Sequence, residues 1–235
     1  MIWKTNIKNK FSDTLSVTAN GSYDIKKCKS VNVQVPTDMY KHILGNLTSF
    51  TPNGNTTKVG SLAYSPNLQT FISSNSVTTI RASAFESCGN LLPVTLNNGL
   101  KTIGNSAFIS CTQLTQITIP ASVTSMSYGV FIGCTNLTTV NLYNISNSAN
   151  LTSGNGIFNS CSKLEYVTLG NGFNWNWLNL SPSTRYSRDT ILGWFNALRD
   201  RSQTTTYKLT IGSTNLAKMT TDDIAIASAK NWTIA

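Results

Sequence analysis

The stretch AFISCTQLTQITIP, residues 107–120, sets one cysteine among small polar residues and evenly spaced aliphatics. Taken alone, Cys111 has four readings: nucleophile, metal ligand, half of a disulfide, or packing. The stretch recurs, however. AFESCGNLLPVTL (84–96) precedes it, and VFIGCTNLTTVNL (130–142) and IFNSCSKLEYVTL (157–169) follow it. The cysteines stand at 88, 111, 134 and 161, in steps of 23, 23 and 27. Three residues before each comes Phe85, Phe108, Phe131 or Phe158, and three after it Leu91, Leu114, Leu137 or Leu164. Paired aliphatics close each copy: Val94 and Leu96, Ile117 and Ile119, Val140 and Leu142, Val167 and Leu169. One step upstream, SLAYSPNLQTFI is a degenerate copy with Leu68 in phase, Ser65 in the cysteine slot and Leu62 in the phenylalanine slot. Val77, Leu100 and Val123 mark a second segment at the same period. A fixed period between 20 and 50 residues is the signature of a solenoid.

Within a copy, the final period-2 alternation predicts a short strand burying alternate residues. Thr95, Thr118, Asn141 and Thr168 fall between the buried pairs and are expected to point outward. The AFxxC half is too short for an independent helix. It is expected to form a single helical or 3₁₀ turn with Phe and Cys inward. One strand and one turn per copy stack into a rod in which each repeat touches only its neighbours.

The AFxxCxxLxxIxIP core, with SVTSM and GLKTI between copies, resembles the BspA-type leucine-rich repeat, also called the Treponema pallidum-type repeat. The resemblance spans residues 57–169. It implies an α/β repeat fold: a right-handed leucine-rich-repeat solenoid of short parallel strands and helical or 3₁₀ turns, with its sheet on the concave side. Two departures stand out. Val130 and Ile157 replace the usual Ala, and YNISNSAN (143–150) carries four extra residues, expected as a loop.

A solenoid needs ends that hide its core. Residues 1–50 are expected to form an N-terminal hairpin and helix cap, 51–180 a solenoid of about five 23-residue repeats, and 181–235 a C-terminal α/β cap. In the first, Asn20-Gly21 signals a turn and VNVQV (31–35) alternates, which predicts a hairpin. TDMYKHILGNL then predicts a short helix capped by Thr37, with Ile43, Leu44 and Leu47 facing the first repeat. At the far end, YSRDTILGWFNALRD predicts an amphipathic helix with Ile191, Leu192, Phe195 and Leu198 inward. YKLTI (207–211) reads as a strand, TTDDIAIASAKN as a helix started by Thr221, and WTI closes the chain. This order reads as a compact cap rather than another repeat. NGSYDIKKCKSVNVQVP is also similar to segments of tail and other structural proteins of phages infecting Firmicutes. The C-terminal KLTIGSTNLAKMTTDDIAIASAKNWTIA resembles the end unit of repeat proteins carried by such phages and their hosts.

Only 11% of residues are charged, against about 25% in a typical soluble protein. The formal charge of +9 invites a nucleic-acid reading, which its distribution opposes. Residues 1–41 and 181–235 each carry seven cations, whereas 42–180 carry only Lys58, Arg81, Lys101 and Lys163 against Glu86 and Glu165. No apolar run approaches the roughly 20 residues that span a bilayer. No apolar stretch follows the basic N-terminus, so no signal peptide is read. Nucleic acid and membrane insertion are therefore set aside as partners.

Catalysis is poorly supplied. His42 is the one histidine, and HExxH, G-x-S-x-G, P-loop and dinucleotide fingerprints are lacking. Asp222 and Asp223 suit the first turn of a helix better than a site. A glycan hydrolase needs paired acids about 5–10 Å apart, and Glu86 and Glu165 lie three repeats apart. The repeat cysteines are too widely spaced for zinc, and stacked side chains point in parallel rather than at one another. They read as buried thiols acting as small hydrophobes. Cys28, in KKCKS, reads as a plain surface cysteine. No catalytic residue, metal or cofactor is assigned.

What remains is binding. The outward positions Gln69, Ile72, Thr95, Gln116, Thr118, Thr139, Asn141, Tyr143, Tyr166 and Thr168 make a ladder of mostly neutral hydrogen-bonding groups. GFNWNWLNL (172–180) adds Phe173, Trp175 and Trp177, which either stack on a ligand or close the core under the C-terminal cap. The expectation is a non-enzymatic recognition or adhesion module, part of a virion or phage tail or of a bacterial surface, taking a glycan or protein on its concave face. A structural spacer is the alternative, with residues 1–50 meeting assembly partners.

Overall fold

The computed structural model describes residues 16–17, 23–24, 47–52, 56–60, 62–142 and 156–235. In chain order the strands begin with β1 (Ser16–Val17), β2 (Tyr23–Asp24), β3 (Ser49–Phe50), β4 (Lys58–Val59) and β5 (Thr70–Phe71). There follow β6 (Thr79–Ile80), β7 (Thr102–Ile103), β8 (Gln116–Thr118), β9 (Ser125–Met126), β10 (Thr139–Leu142) and β11 (Tyr166–Leu169). The C-terminal part holds β12 (Trp177–Asn179), helix α1 (Arg188–Ala197), β13 (Tyr207–Thr210), helix α2 (Ser213–Leu216), helix α3 (Thr221–Ala229) and β14 (Trp232–Ile234).

Two parallel ladders carry the repeats. The first comprises β3 with β5, a bridge from Ile72 to Thr95, and β8, β10 and β11 in adjacent order. The second is β4-β6-β7-β9, in which Lys58, Thr79, Thr102 and Ser125 share one register position. The first ladder thins to a bridge at Thr95 because Pro93 stands there. Its equivalents Thr70 and Thr139 donate an N–H to the rung before, and proline has none to give.

The turn half differs from the helical or 3₁₀ turn expected. Two residues four apart in each copy are left-handed: Ser83 and Ser87, Ser106 and Ser110, Gly129 and Gly133, Gly156 and Ser160 have φ between 53° and 73°. The backbone donors around them divide in two. Ala84, Glu86 and Cys88 bond back three residues, while Ser83, Phe85 and Ser87 donate to Asn105, Ala107 and Ile109 of the next rung at 2.8–2.9 Å. The following rung repeats the pattern, with Phe108 on Val130 and Ser110 on Ile132. A helical turn would keep these donors inside one copy. The left-handed residues create a third ladder between copies, a bond requirement that outweighs the strain of φ above zero.

Inside this three-sided coil the slots stack as the period requires. Phe71, Phe85, Phe108, Phe131 and Phe158 form a continuous column with centroids 4.7–5.8 Å apart. The Leu slots 68, 91, 114, 137 and 164 are fully buried, as are Leu62 and Ser65 of the degenerate copy. Leu47 is buried and β3 extends the first ladder upstream, so the strand register continues into residues assigned to the N-terminal cap. Of that cap, β1 and β2 pair antiparallel, Ser16 with Asp24 and Val17 with Tyr23. The helix read at 37–47, apart from its last residue Leu47, the VNVQV strand and the YNISNSAN loop lie outside the described residues.

The C-terminal segment also obeys the stacking rule. β12, β13 and β14 are parallel neighbours in a sheet of their own, with α1 between the first two strands and α2 and α3 between the last two. Ser187 caps α1 by accepting from Thr190 N–H. Thr220, rather than Thr221, caps α3 in a reciprocal capping box with Asp223. Arg188 joins the two helices by donating Nε and Nη2 to the Asp223 carboxylate at 3.0 and 2.6 Å. On α1 the buried residues are Ile191, Trp194, Phe195 and Ala197, while Leu192 is only half-buried. Trp194 Nε1 donates to Val167 O at 2.5 Å. That bond satisfies a carbonyl on β11, the edge strand of its sheet.

Candidate functional site

The cysteines come first, because they are the reactive groups the repeat concentrates. All four are free and fully buried. Each thiol donates to a carbonyl of the preceding copy: Cys88 to Leu62 O, Cys111 to Phe85 O, Cys134 to Phe108 O and Cys161 to Phe131 O, at 3.0–3.1 Å. They are thus small core side chains with one useful donor. Burial pushes Cys88 up to about 11 and Cys161 up to about 12, and raises Cys111 and Cys134 well above the ordinary thiol value. A thiol held neutral in this way is neither nucleophile nor ligand.

The acids of the repeats are engaged separately. Glu86 Oε1 accepts from Tyr64 OH at 2.7 Å, and Glu165 Oε1 pairs with Arg185 Nη1 at 2.6 Å. Among the described residues no three His, Cys, Asp or Glu gather in a metal-binding group. No helix among them is long and apolar enough to cross a membrane.

The outward positions of the first ladder do share a face. Gln116, Thr139 and Tyr166 occupy one register row, and Thr118, Asn141 and Thr168 the next. Alternation along β8, β10 and β11 turns these side chains out while Ile117, Val140 and Val167 turn in. The second row is internally bonded: Asn141 Nδ2 donates to Thr118 Oγ1 at 3.1 Å, and Thr168 Oγ1 to Asn141 Oδ1 at 3.3 Å. Such a chain of dipoles holds its own rotamers before any ligand arrives. Tyr166 is 59% exposed. Gln69 and Thr95, also exposed, extend the face upstream. There the surface becomes apolar, with Ile72 and Leu92 each 48% exposed. Leu92 escaped sequence reading, although the doubled leucine of LLPVTL signals it: the first fills the core slot, leaving the second outside.

The aromatic segment divides. Trp175 is 1% exposed and packs on Phe173 at 5.1 Å, so a ligand cannot reach it. Its place in the site is corrected to the core. Phe173, fully buried, donates its N–H to Gly170 O. It stands four residues after Leu169 as Val123 does after Ile119, so it fills the slot of Val77, Leu100 and Val123. Trp177 is half-buried, donates Nε1 to Thr210 Oγ1 at 3.2 Å and has Lys208 Nζ over its ring at 5.7 Å. It lies on the β12-β13-β14 sheet, away from the rows of the first ladder. Tyr143 lies outside the described residues.

The profile of the BspA type leucine rich repeat region matches residues 33–165 in six copies. The chain belongs to that family. This BspA-type repeat protein also aligns with solved structures. It aligns with the Treponema pallidum leucine rich repeat protein at a TM-score of 0.53 and 19% identity, over 77% of this chain and 90% of that one. A leucine rich cell surface protein from Faecalibacterium prausnitzii aligns at a TM-score of 0.47 and 19% identity, over 79% of this chain. The chain spans 40% of the length of that protein. A leucine-rich repeat protein from Eubacterium ventriosum aligns at a TM-score of 0.48 and 15% identity, over 84% and 63% of the two chains. Among curated proteins no match was found.

Proposed function

We propose that this BspA-type repeat protein is a non-catalytic recognition module that binds a neutral glycan across the first ladder, at the rows Gln116–Thr139–Tyr166 and Thr118–Asn141–Thr168. The observation that carries this reading is the mutually bonded row of Thr118, Asn141 and Thr168 on an exposed face. Hydroxyls and amides fixed at strand spacing match the hydroxyl pattern of a sugar chain, and Tyr166 supplies a flat ring for a pyranose face. The charges bordering these rows, Glu165 with Arg185 and Lys163 on Asn136 Oδ1, are already partnered, which favours an uncharged ligand.

A module of this kind belongs on a bacterial surface or a virion, where it meets glycans of another cell, and residues 1–50 would join it to its assembly. The test is a glycan array followed by calorimetry. Wild-type protein is expected to bind a neutral oligosaccharide, and the variant with Gln116, Thr118, Asn141 and Tyr166 all changed to Ala is expected to lose that binding with its fold intact. Undiminished binding by the fourfold variant would remove the site from this face. Absence of any glycan or protein ligand would leave the spacer role.

A further inference from the structure

The four cations of the repeat region are unevenly placed. Three of them, Lys58, Arg81 and Lys101, fall on consecutive rungs of the second ladder, at β4, just after β6 and just before β7. Lys58 and Lys101 are exposed, and their ammonium groups form no ion pair or hydrogen bond among the described residues. The Arg81 stem lies back over the first rung. A Cβ on Gly60 would meet Arg81 Cδ and Cβ at 3.0 and 3.1 Å. Gly60 is two residues beyond Lys58 on the same strand, so both face the same side, about 7 Å apart at strand rise. Lys101 stands two rungs along, about 10 Å from Lys58 at the usual strand separation.

The surroundings complete a positive, hydroxyl-rich strip. Thr57, Thr78, Thr79, Thr102, Thr124 and Ser125 flank the three cations. Between residues 56 and 142 the sole acid is Glu86, held by Tyr64 in the turn ladder. In the C-terminal segment, in contrast to Lys58 and Lys101, cations are engaged: Arg188 on Asp223, Lys218 on three oxygens, and Lys230 on the carbonyls of Phe195 and Asn196. The strands of the second ladder hold no aromatic residue, so they offer no platform for stacking nucleobases.

We infer that the second ladder binds an anionic polysaccharide. Its carboxylate or phosphate groups sit on Lys58 and Lys101, on either side of the rung that bears Arg81, and its hydroxyls meet the flanking threonines. A chain acidic on every other ring matches the separation of the two lysines. This face is distinct from the one proposed for neutral glycans, so the two readings fail separately.

Affinity electrophoresis and calorimetry on the full chain provide the test, with polygalacturonate and poly(glycerol phosphate) as probes and dextran as the neutral control. At low salt at least one polyanion is expected to bind and to weaken as salt rises. Restriction of binding to one of the two identifies the acid. The K58Q/K101Q double variant, which changes exposed side chains only, is expected to lose about tenfold in affinity and to show a shallower salt dependence. Q116A/T118A is expected to bind the polyanion as wild type does. Equal retention on dextran, unchanged affinity in K58Q/K101Q, or tighter binding to a single-stranded oligonucleotide than to either polyanion would overturn the inference.

Discussion

Replacing Cys111 by Ala isolates the thiol that the repeat buries most regularly. Removing its sulfur from a fully buried site forfeits about 1 kcal/mol of transfer energy. A residual cavity of one atom adds several tenths at about 24 cal/mol per Å³. The lost Sγ–H···O bond to Phe85 O adds little, because that carbonyl keeps the Cys88 N–H at 3.1 Å and is not left unsatisfied. The total is about 1–2 kcal/mol. Cys111→Ser is expected to lose less, since Ser65 fills the same slot in an earlier copy by donating to Leu62 O at 2.7 Å. Urea unfolding at constant pH measures both. A thiol reagent gives the second readout: positions 88, 111, 134 and 161 should react only after unfolding. The packing argument fails if Cys111 in the folded protein reacts at a rate near that of the unfolded chain, or if Cys111→Ala leaves the urea midpoint unchanged.

The same thiols predict an alkaline limit. Their folded pKa values are raised, so their stabilising contribution is complete below the unfolded value and lost as pH climbs towards about 11 for Cys88 and about 12 for Cys161. Each contributes a slope of about 1.4 kcal/mol per pH unit in that window. Urea midpoints between pH 8 and pH 11 should fall more gently in Cys161→Ala than in wild type. Phe108→Ala, in the middle of the ring column with neighbours at 5.0 and 5.7 Å, is expected to cost about 3–5 kcal/mol, read as a lowered Tm. Gly104→Ala places a Cβ 2.4 Å from Ala82 N and 2.6 Å from Arg81 C, and this overpacking should cost about 1–3 kcal/mol. A melting curve equal to wild type would mean the two rungs are further apart than described. The Thr220 backbone N–H, with the Arg188 guanidinium, lowers the Asp223 pKa. Its stabilising effect is therefore present above the unfolded carboxyl pKa and lost as pH falls, so the stability gap between wild type and Asp223→Asn should narrow from pH 6 to pH 3.

How much the sequence told in advance differs between the interior and the ends. The stacking of Phe108 on Phe85 and Phe131, the burial of Cys111 and the outward turn of Gln116 and Thr118 were all legible, because a fixed period forces equivalent residues into equivalent environments. The left-handed serines were not. Serine carries no signal for positive φ, and glycine takes those positions only at 129, 133 and 156. What sets their hand is the carbonyl offered by the next copy, which exists only once the copies are stacked. The C-terminal aromatics were ambiguous for a related reason. Trp175 and Trp177 are two residues apart and identical in type, and only the packing of Phe173 on one side and the Thr210 hydroxyl on the other separates a core ring from a half-exposed one.

Charge followed the same division. Composition placed Lys58, Arg81 and Lys101 in a nearly neutral stretch, and sequence reading did not group them, although Lys58 and Arg81 stand one 23-residue period apart. Coiling the chain brings them onto one ladder, because each turn of the solenoid returns the backbone to within a strand spacing of its previous turn. The sequence by itself determined the repeat, its core slots and its outward positions, since those depend on local alternation and period. The tertiary structure decided the backbone hand of the turns, the fate of Trp175 and Trp177 and the convergence of the lysines, since those depend on which groups meet across copies.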